Sequence, residues 1–172
     1  MGVEGGNEVT FVLGGARSGK SRHAESLIEA FPPPWIYVAT AQAYDDEMRA
    51  RIAEHRGRRG AGWRTVDAPL DLPGAIVGHR DRPLLVDCLT LWLTNLILAE
   101  HDTAAAGNAL VAACAAHTAP LVLVSNEVGL GIVPENALAR RFRDEAGRLH
   151  QRLAAQADRM LFMVAGLPMQ VK

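Results

Sequence analysis

The stretch that most constrains this chain lies near its start: Val9-Thr10-Phe11-Val12-Leu13-Gly14-Gly15-Ala16-Arg17-Ser18-Gly19-Lys20-Ser21. An apolar run rich in β-formers breaks into glycines, and a lysine and a serine then open a helical segment. Gly14, Gly19, Lys20 and Ser21 satisfy the spacing G-x-x-x-x-G-K-[ST] of a phosphate-binding P-loop. Glycines let the backbone fold around phosphates with its N–H groups turned inward, and the following helix adds its positive end. Lys20 is placed to reach the β- and γ-phosphates, and the Ser21 hydroxyl to ligate the Mg²⁺ that accompanies them. A glycine-rich turn with no ligand would not require strand, loop, lysine and helix in this order. The expected ligand is a nucleoside triphosphate, ATP or GTP.

The rest of the chain repeats the strand–helix alternation. Strands are expected at Trp35–Ala39, Trp63–Val66, Leu84–Val86, Leu121–Ser125 and Met160–Ala165, the first and third of them buried. Helices are expected from the P-loop to about Ala30, after the acids Asp45-Asp46-Glu47, and, weakly, over Leu70–Val77. Further helices are expected over Leu89–Ala99, Ala106–His117 and Asn136–Ala157, and Pro32-Pro33-Pro34 stops the first one. Six strands joined by helices predict an α/β fold, a mostly parallel twisted sheet covered on both faces. Residues 1–172 read as one nucleotide-binding domain, with no repeat or linker. Ligands of such sheets sit beyond the carboxyl ends of the strands. Those ends carry the P-loop, Thr40, Asp67, Asp87 and Asn126-Glu127.

Composition removes other classes. A net charge of -1 argues against broad nucleic-acid binding, and the two cysteines, Cys88 and Cys114, form neither a disulfide framework nor a metal-spaced pair. Residues 1–8 carry two acids and no apolar core, unlike a signal peptide, and the apolar region 84–99 is broken by Asp87, Thr90, Thr94 and Asn95. A cytoplasmic protein that does not span a membrane is expected.

Asp87 ends an all-apolar strand, where a P-loop protein holds an acid near the Mg²⁺; it can equally cap the helix that follows. His55 lies among Arg49, Arg51, Arg56, Arg58 and Arg59. It reads either as an exposed histidine at a helix end or as a nucleophile. In the second case a neutral imidazole attacks an α-phosphorus, and the arginines disfavour imidazolium and hold the triphosphate. His23 faces solvent or orients a substrate. His79, His101, His117 and His150 have no ligand spacing, and no zinc site is legible. The loop Asn126–Pro134 is a turn into the long helix or part of a substrate pocket.

With these residues in view, the chain resembles the bifunctional adenosylcobinamide kinase / adenosylcobinamide-phosphate guanylyltransferase family of cobalamin biosynthesis. The resemblance runs from Phe11 to Val171. It rests on Gly14 to Glu25, Tyr37-Val38-Ala39-Thr40-Ala41, and Asp45-Asp46-Glu47-Met48 followed by Arg51-Ile52 and His55. It continues through Asp87-Cys88-Leu89-Thr90-Leu91-Trp92-Leu93-Thr94-Asn95 and Ser125 to Asn136. The resemblance implies two reactions. Adenosylcobinamide is phosphorylated on its aminopropanol hydroxyl from ATP or GTP, and GMP is then transferred from GTP to that phosphate, releasing pyrophosphate. It implies a guanylylated histidine, which the family's Arg-Ile-x-x-His pattern places at His55. It implies GTP contacts at Gly14, Gly15, Ala16, Arg17, Ser18, Gly19, Lys20 and Ser21, at Ala39, Thr40 and Ala41, and at Arg56, Gly57, Arg58 and Arg59. Asp67 and Asp87 complete that set, with Ser21 and Asp87 on the Mg²⁺. It also implies a RecA-like P-loop fold and a homotrimer. Some relatives carry Glu at the position of Asp87, and some carry a second histidine where this chain has Glu54. The stretch from His101 to His117 is shorter than in some relatives.

Two other readings make different predictions. A P-loop kinase for another small molecule would transfer a γ-phosphate and form no covalent GMP adduct. A RecA-like DNA-binding module would show strongly salt-dependent DNA affinity, and only the arginine cluster supports it.

Overall fold

The structure, a computed structural model, describes residues 7–42, 46, 49–50, 52–53, 57 and 59–172. Seven strands form one sheet: β1 (Val9–Gly14), β2 (Trp35–Ala39), β3 (Trp63–Asp67), β4 (Leu84–Asp87), β5 (Leu121–Asn126), β6 (Arg159–Val164) and β7 (Leu167–Gln170). The helices are α1 (Lys20–Glu29), α2 (Leu72–Gly78), α3 (Leu89–Leu98), α4 (Thr103–Ala115) and α5 (Ala137–Gln156). Asp46, Arg49, Ala50, Ile52 and Ala53 are also helical. The sheet order is β3-β2-β4-β5-β1-β6-β7, and every neighbouring pair is parallel except β6 with β7. β5 therefore lies between the P-loop strand β1 and the strand β4 that ends at Asp87, as in a RecA-like P-loop sheet.

The period-2 alternation of the strands builds two cores. Phe11, Leu13, Ile36, Val38, Leu84, Val86, Leu121 and Leu123 point to one face, against α2, α3, α4 and α5 through Ile76, Trp92, Leu110 and Leu153. Val12, Tyr37, Leu85, Val122 and Val124 point to the other, where Ala24 and Ile28 of α1 cover them. Strands buried on both faces explain the near-continuous apolar runs in the sequence.

Several boundaries differ from the sequence expectation, each for a local reason. The seventh strand was not expected; β6 turns back at Ala165 and Gly166, both at positive φ, and pairs antiparallel with β7. α4 begins at Thr103, because the Asp102 carboxylate accepts the Ala104 and Ala105 N–H groups at 2.9 Å each. The weakly expected helix is real. Asp71 caps α2 by accepting the Gly74 N–H at 3.0 Å, and Pro73 sits in the first turn, where its missing N–H is no loss. On α5 the helically spaced Ala146, Leu149 and Leu153 are buried, whereas Leu138, two turns earlier, is exposed.

The parallel register brings the strand ends into line. Ala39 lies opposite both Asp67 and Asp87, and Gly14 opposite Asn126.

Candidate active site

The loop between β1 and α1 has the construction its sequence demands. Gly19 takes φ 90°, a left-handed conformation that costs other residues, and caps α1 with no side chain of its own. The first turn of α1 carries no acid, so its free N–H groups and positive end remain directed at the loop. Two neighbours fix the loop from opposite sides. The Glu127 N–H at the end of β5 donates to the Gly14 carbonyl at 2.9 Å, and the Gly166 N–H of the β6–β7 turn donates to the Ser18 carbonyl at 3.0 Å.

Lys20 is buried, and its ammonium donates to the Gly15 carbonyl at 2.5 Å. Burial lowers its pKa, while Cys88 and the Asp87 carboxylate act in the opposite sense. The loop that holds the lysine and the acid of β4 stand at the carboxyl ends of strands separated only by β5. The Asp87 Oδ2 accepts a hydrogen bond from the Tyr37 hydroxyl at 3.0 Å. Ser21 lies in the first turn of α1, partly exposed. A hydroxyl and a carboxylate are hard oxygen donors of the kind that hold a nucleotide-bound Mg²⁺, which takes one or two protein ligands beside the phosphates. Among the described residues no three His, Cys, Asp or Glu side chains gather into a metal cage of their own.

Thr40 has a different place from its neighbours. It is fully buried; its hydroxyl donates to the Cys88 carbonyl at 2.7 Å and accepts the Cys88 N–H at 2.9 Å. Its carbonyl accepts from the buried Asn95 amide at 2.8 Å. Its side chain clamps β2 to the start of α3. Ala39 and Ala41 flank it, both partly exposed. Cys88 is buried with its pKa pushed up to about 11, so it stays a thiol and contacts the Thr90 hydroxyl at 3.0 Å. The Asn126 amide in turn donates to Thr90 at 2.9 Å. Asp67 is exposed at the end of the edge strand β3.

Arg59 reaches the same side of the sheet. Its guanidinium carbon sits 3.5 Å from the centroid of the Tyr37 ring, and its Nη2 donates to the Thr65 hydroxyl at 3.3 Å. Its Nη1 is buried and has no hydrogen-bond partner among the described residues. Gly57 is described and helical. His55, Arg56 and Arg58 lie outside the described residues, as do Met48 and Arg51.

The family model for cobinamide kinase / cobinamide phosphate guanyltransferase matches residues 10–171. The chain belongs to this family. It is accordingly a transferase of cobalamin biosynthesis, a cobinamide kinase and cobinamide-phosphate guanylyltransferase built on a nucleotide-binding P-loop. It is 52% identical over 165 residues to the bifunctional adenosylcobalamin biosynthesis protein CobP of Pseudomonas aeruginosa, covering 94% of this chain and 95% of that one. It is 47% identical over 178 residues to the bifunctional adenosylcobalamin biosynthesis protein CobU of Salmonella typhimurium, covering 94% and 98%. The solved flagellar accessory protein FlaH from Methanocaldococcus jannaschii shares the fold, with a TM-score of 0.53 at 12% identity over 98% of this chain and 79% of that one.

Within this cobinamide kinase / guanyltransferase chain, several residues near the loop were not singled out by sequence. Tyr37 lies beside Asp87 and Arg59, and the charge of the buried Glu25 is felt at its phenol. The Ser125 hydroxyl and the His150 Nε2 are 2.7 Å apart, buried against Phe11 just before Asn126. Burial lowers the His150 pKa, so its ring is held neutral. Sequence carried no sign of that pair, because the residues stand 25 positions apart on separate elements. His23, on the first turn of α1, is partly buried, and burial and then Arg159 lower its pKa. No helix of the described residues is long and apolar enough to cross a membrane.

Proposed function

We propose that the two reactions share one nucleotide cradle and that His55 is the residue that carries GMP between them. In the kinase reaction the P-loop N–H groups and Lys20 hold the triphosphate. The aminopropanol hydroxyl of adenosylcobinamide attacks the γ-phosphorus, and the nucleoside diphosphate leaves. In the transferase reaction an imidazole nitrogen of His55 attacks the α-phosphorus of GTP and pyrophosphate leaves. A phosphate oxygen of adenosylcobinamide phosphate then attacks the same phosphorus, the P–N bond breaks, and adenosylcobinamide-GDP forms with His55 restored. Ser21 and Asp87 would hold a nucleotide-bound Mg²⁺, which would supply neutralisation of the phosphate charge.

The observation that best supports this reading is the sheet order, which puts the P-loop, with Lys20 buried in it at the head of α1, and Asp87 at the carboxyl ends of strands separated only by β5. Arg59, with one buried nitrogen that no described residue partners, supports an anion contact four residues beyond His55 in the sequence. Gly14 to Ser21, Ala39 to Ala41, Arg56 to Arg59, Asp67 and Asp87 make up the proposed nucleotide surface, Thr40 through its main chain. We extend the reading to residues 1–172 as one domain, acting in the cytoplasm as a homotrimer. Leu130, Ile132, Leu167 and Met169 are exposed apolar side chains of the kind association covers.

Two product measurements test the function. With ATP and adenosylcobinamide the chain should give adenosylcobinamide phosphate. With GTP and that phosphate it should give equimolar pyrophosphate and adenosylcobinamide-GDP. Phosphate transfer with no pyrophosphate would reduce the protein to a kinase alone and overturn the shared-cradle reading.

A further inference from the structure

Tyr37 is the side chain on which two residues of the proposed nucleotide surface, Asp87 and Arg59, both rest. It lies in the middle of β2, buried, on the face covered by α1. Its ring packs edge-on against Trp63, with centroids 6.1 Å apart and an interplanar angle of 80°, and Trp63 in turn packs on Trp35 at 5.4 Å. Two polar groups converge on it from opposite directions. Asp87, at the end of β4, accepts its hydroxyl proton at 3.0 Å, and the Arg59 guanidinium lies over its ring at 3.5 Å. Burial and then the Asp87 charge raise the phenol's pKa far above the ordinary range, which keeps it a donor.

The two contacts use different parts of one residue. The hydroxyl fixes Oδ2 of Asp87 and so limits how that carboxylate can turn toward a cation. The ring face attracts Arg59 through its quadrupole, and the contact needs no hydroxyl. Arg59 is four residues beyond His55, where the chain returns toward β3. A core tyrosine would need only its ring packing; neither the carboxylate nor the guanidinium is required for that.

We propose that Tyr37 is a positioning residue for both reactions: its hydroxyl orients Asp87 for the nucleotide-bound cation, and its ring docks Arg59 for its contact with the triphosphate. The proposal rests on the reading that Asp87 serves Mg²⁺ and that His55 takes GMP.

The parent chain, Tyr37→Phe and Tyr37→Met are compared in two assays after circular dichroism. One is calorimetric affinity for a non-hydrolysable GTP analogue with Mg²⁺ and with EDTA; the other is single-turnover labelling by α-labelled GTP at saturating Mg²⁺. Tyr37→Phe removes a hydrogen bond to a charged group, so the Mg²⁺-dependent gain in affinity should fall about tenfold, with the EDTA affinity unchanged. Its labelling should stay within about twofold of the parent, because the ring still docks Arg59. Tyr37→Met, which fills the space without a π-face, should lose labelling about fivefold or more beyond Tyr37→Phe.

An unchanged Mg²⁺ response in Tyr37→Phe, the variant least disturbing to the core, overturns the proposal by itself. Equal labelling by the two variants overturns the role of the ring. A parent chain that neither responds to Mg²⁺ nor takes label would overturn the functional reading, and the proposal with it. A parent that does both while its Tyr37 variants match it sinks the proposal alone.

Discussion

Gly14 and Gly15 stand side by side in the loop, yet the structure gives them unequal tolerance for a methyl group. A Cβ on Gly14 would lie 2.8 Å from the Ser18 Oγ, 2.9 Å from the Met163 carbonyl oxygen and 3.1 Å from the Met163 Cβ. The first contact can be relieved by a side-chain rotation. The second involves the backbone of β6, a strand paired to β1 at this very position, so the loop itself must shift. A Cβ on Gly15 would meet nothing within 4 Å, and its φ is not in the left-handed region. Overpacking of this kind costs about 1–3 kcal/mol. For a chain of this length each kcal/mol moves the unfolding midpoint by about 2–4 °C, so Gly14→Ala should melt about 2–12 °C lower. Gly15→Ala should stay within about 2 °C of the parent. Thermal unfolding without nucleotide reads both values. Calorimetry with GTP then reads how much of the displacement reaches the cradle, with an expected weakening of about 5- to 150-fold for Gly14→Ala. Equal melting of the two variants, or a Gly14→Ala protein that binds GTP like the parent, would refute the claim that β6 holds the loop in its binding shape.

Three further outcomes follow from particular contacts. Lys20→Met should lose at least about tenfold in GTP affinity, since a charge-assisted contact is removed, yet melt no lower than the parent, because burial opposes the Lys20 charge; undiminished affinity by calorimetry would contradict the role given to Lys20. Burial holds His117 and His150 below their ordinary value of 6.5, so on acidification the unfolded chain takes up protons that the folded chain refuses. Their contribution is complete above that value and is lost as pH falls below it, at a limiting slope of about 1.4 kcal/mol per pH unit for each histidine; denaturant titrations of His150→Gln between pH 7 and 5 should show a shallower decline, and an unchanged slope would refute the buried neutral ring. Asp102→Ala should cost about 1–2 kcal/mol by uncapping α4 and leave GTP affinity untouched, as read by chemical unfolding and calorimetry.

How much of this was legible in the sequence depended on whether the signal was local. The P-loop announces itself in eight consecutive positions, and the acid of β4 stands directly after an apolar strand, so both could be read without the fold. The α/β class followed from apolar runs that the two-sided burial of the sheet requires. The seventh strand escaped because it contains Pro168 and follows a turn whose first residue is Ala165, at φ 49° rather than the Asn or Gly that usually marks such hairpins. The early start of α4 was missed because the cap Asp102 lies ahead of the alanine run. Tyr37, Glu25 and the Ser125–His150 pair were invisible for another reason. Each acquires its partner only when distant elements pack, and a buried tyrosine in an apolar strand reads as core. Thr40 shows the reverse: it lies inside a matched block, but its hydroxyl is spent on the Cys88 backbone.

The central claim is that one chain uses a P-loop and a histidine nucleophile together, and the most direct measurement is covalent labelling. The full chain is incubated with α-labelled GTP and Mg²⁺, denatured, and examined for label that acid removes and base does not, as expected of a phosphoramidate. The account predicts stoichiometric, acid-labile GMP on the parent chain, release of pyrophosphate in equal amount, and no label on His55→Ala. Acid-labile GMP retained on His55→Ala, or none on the parent, would contradict it.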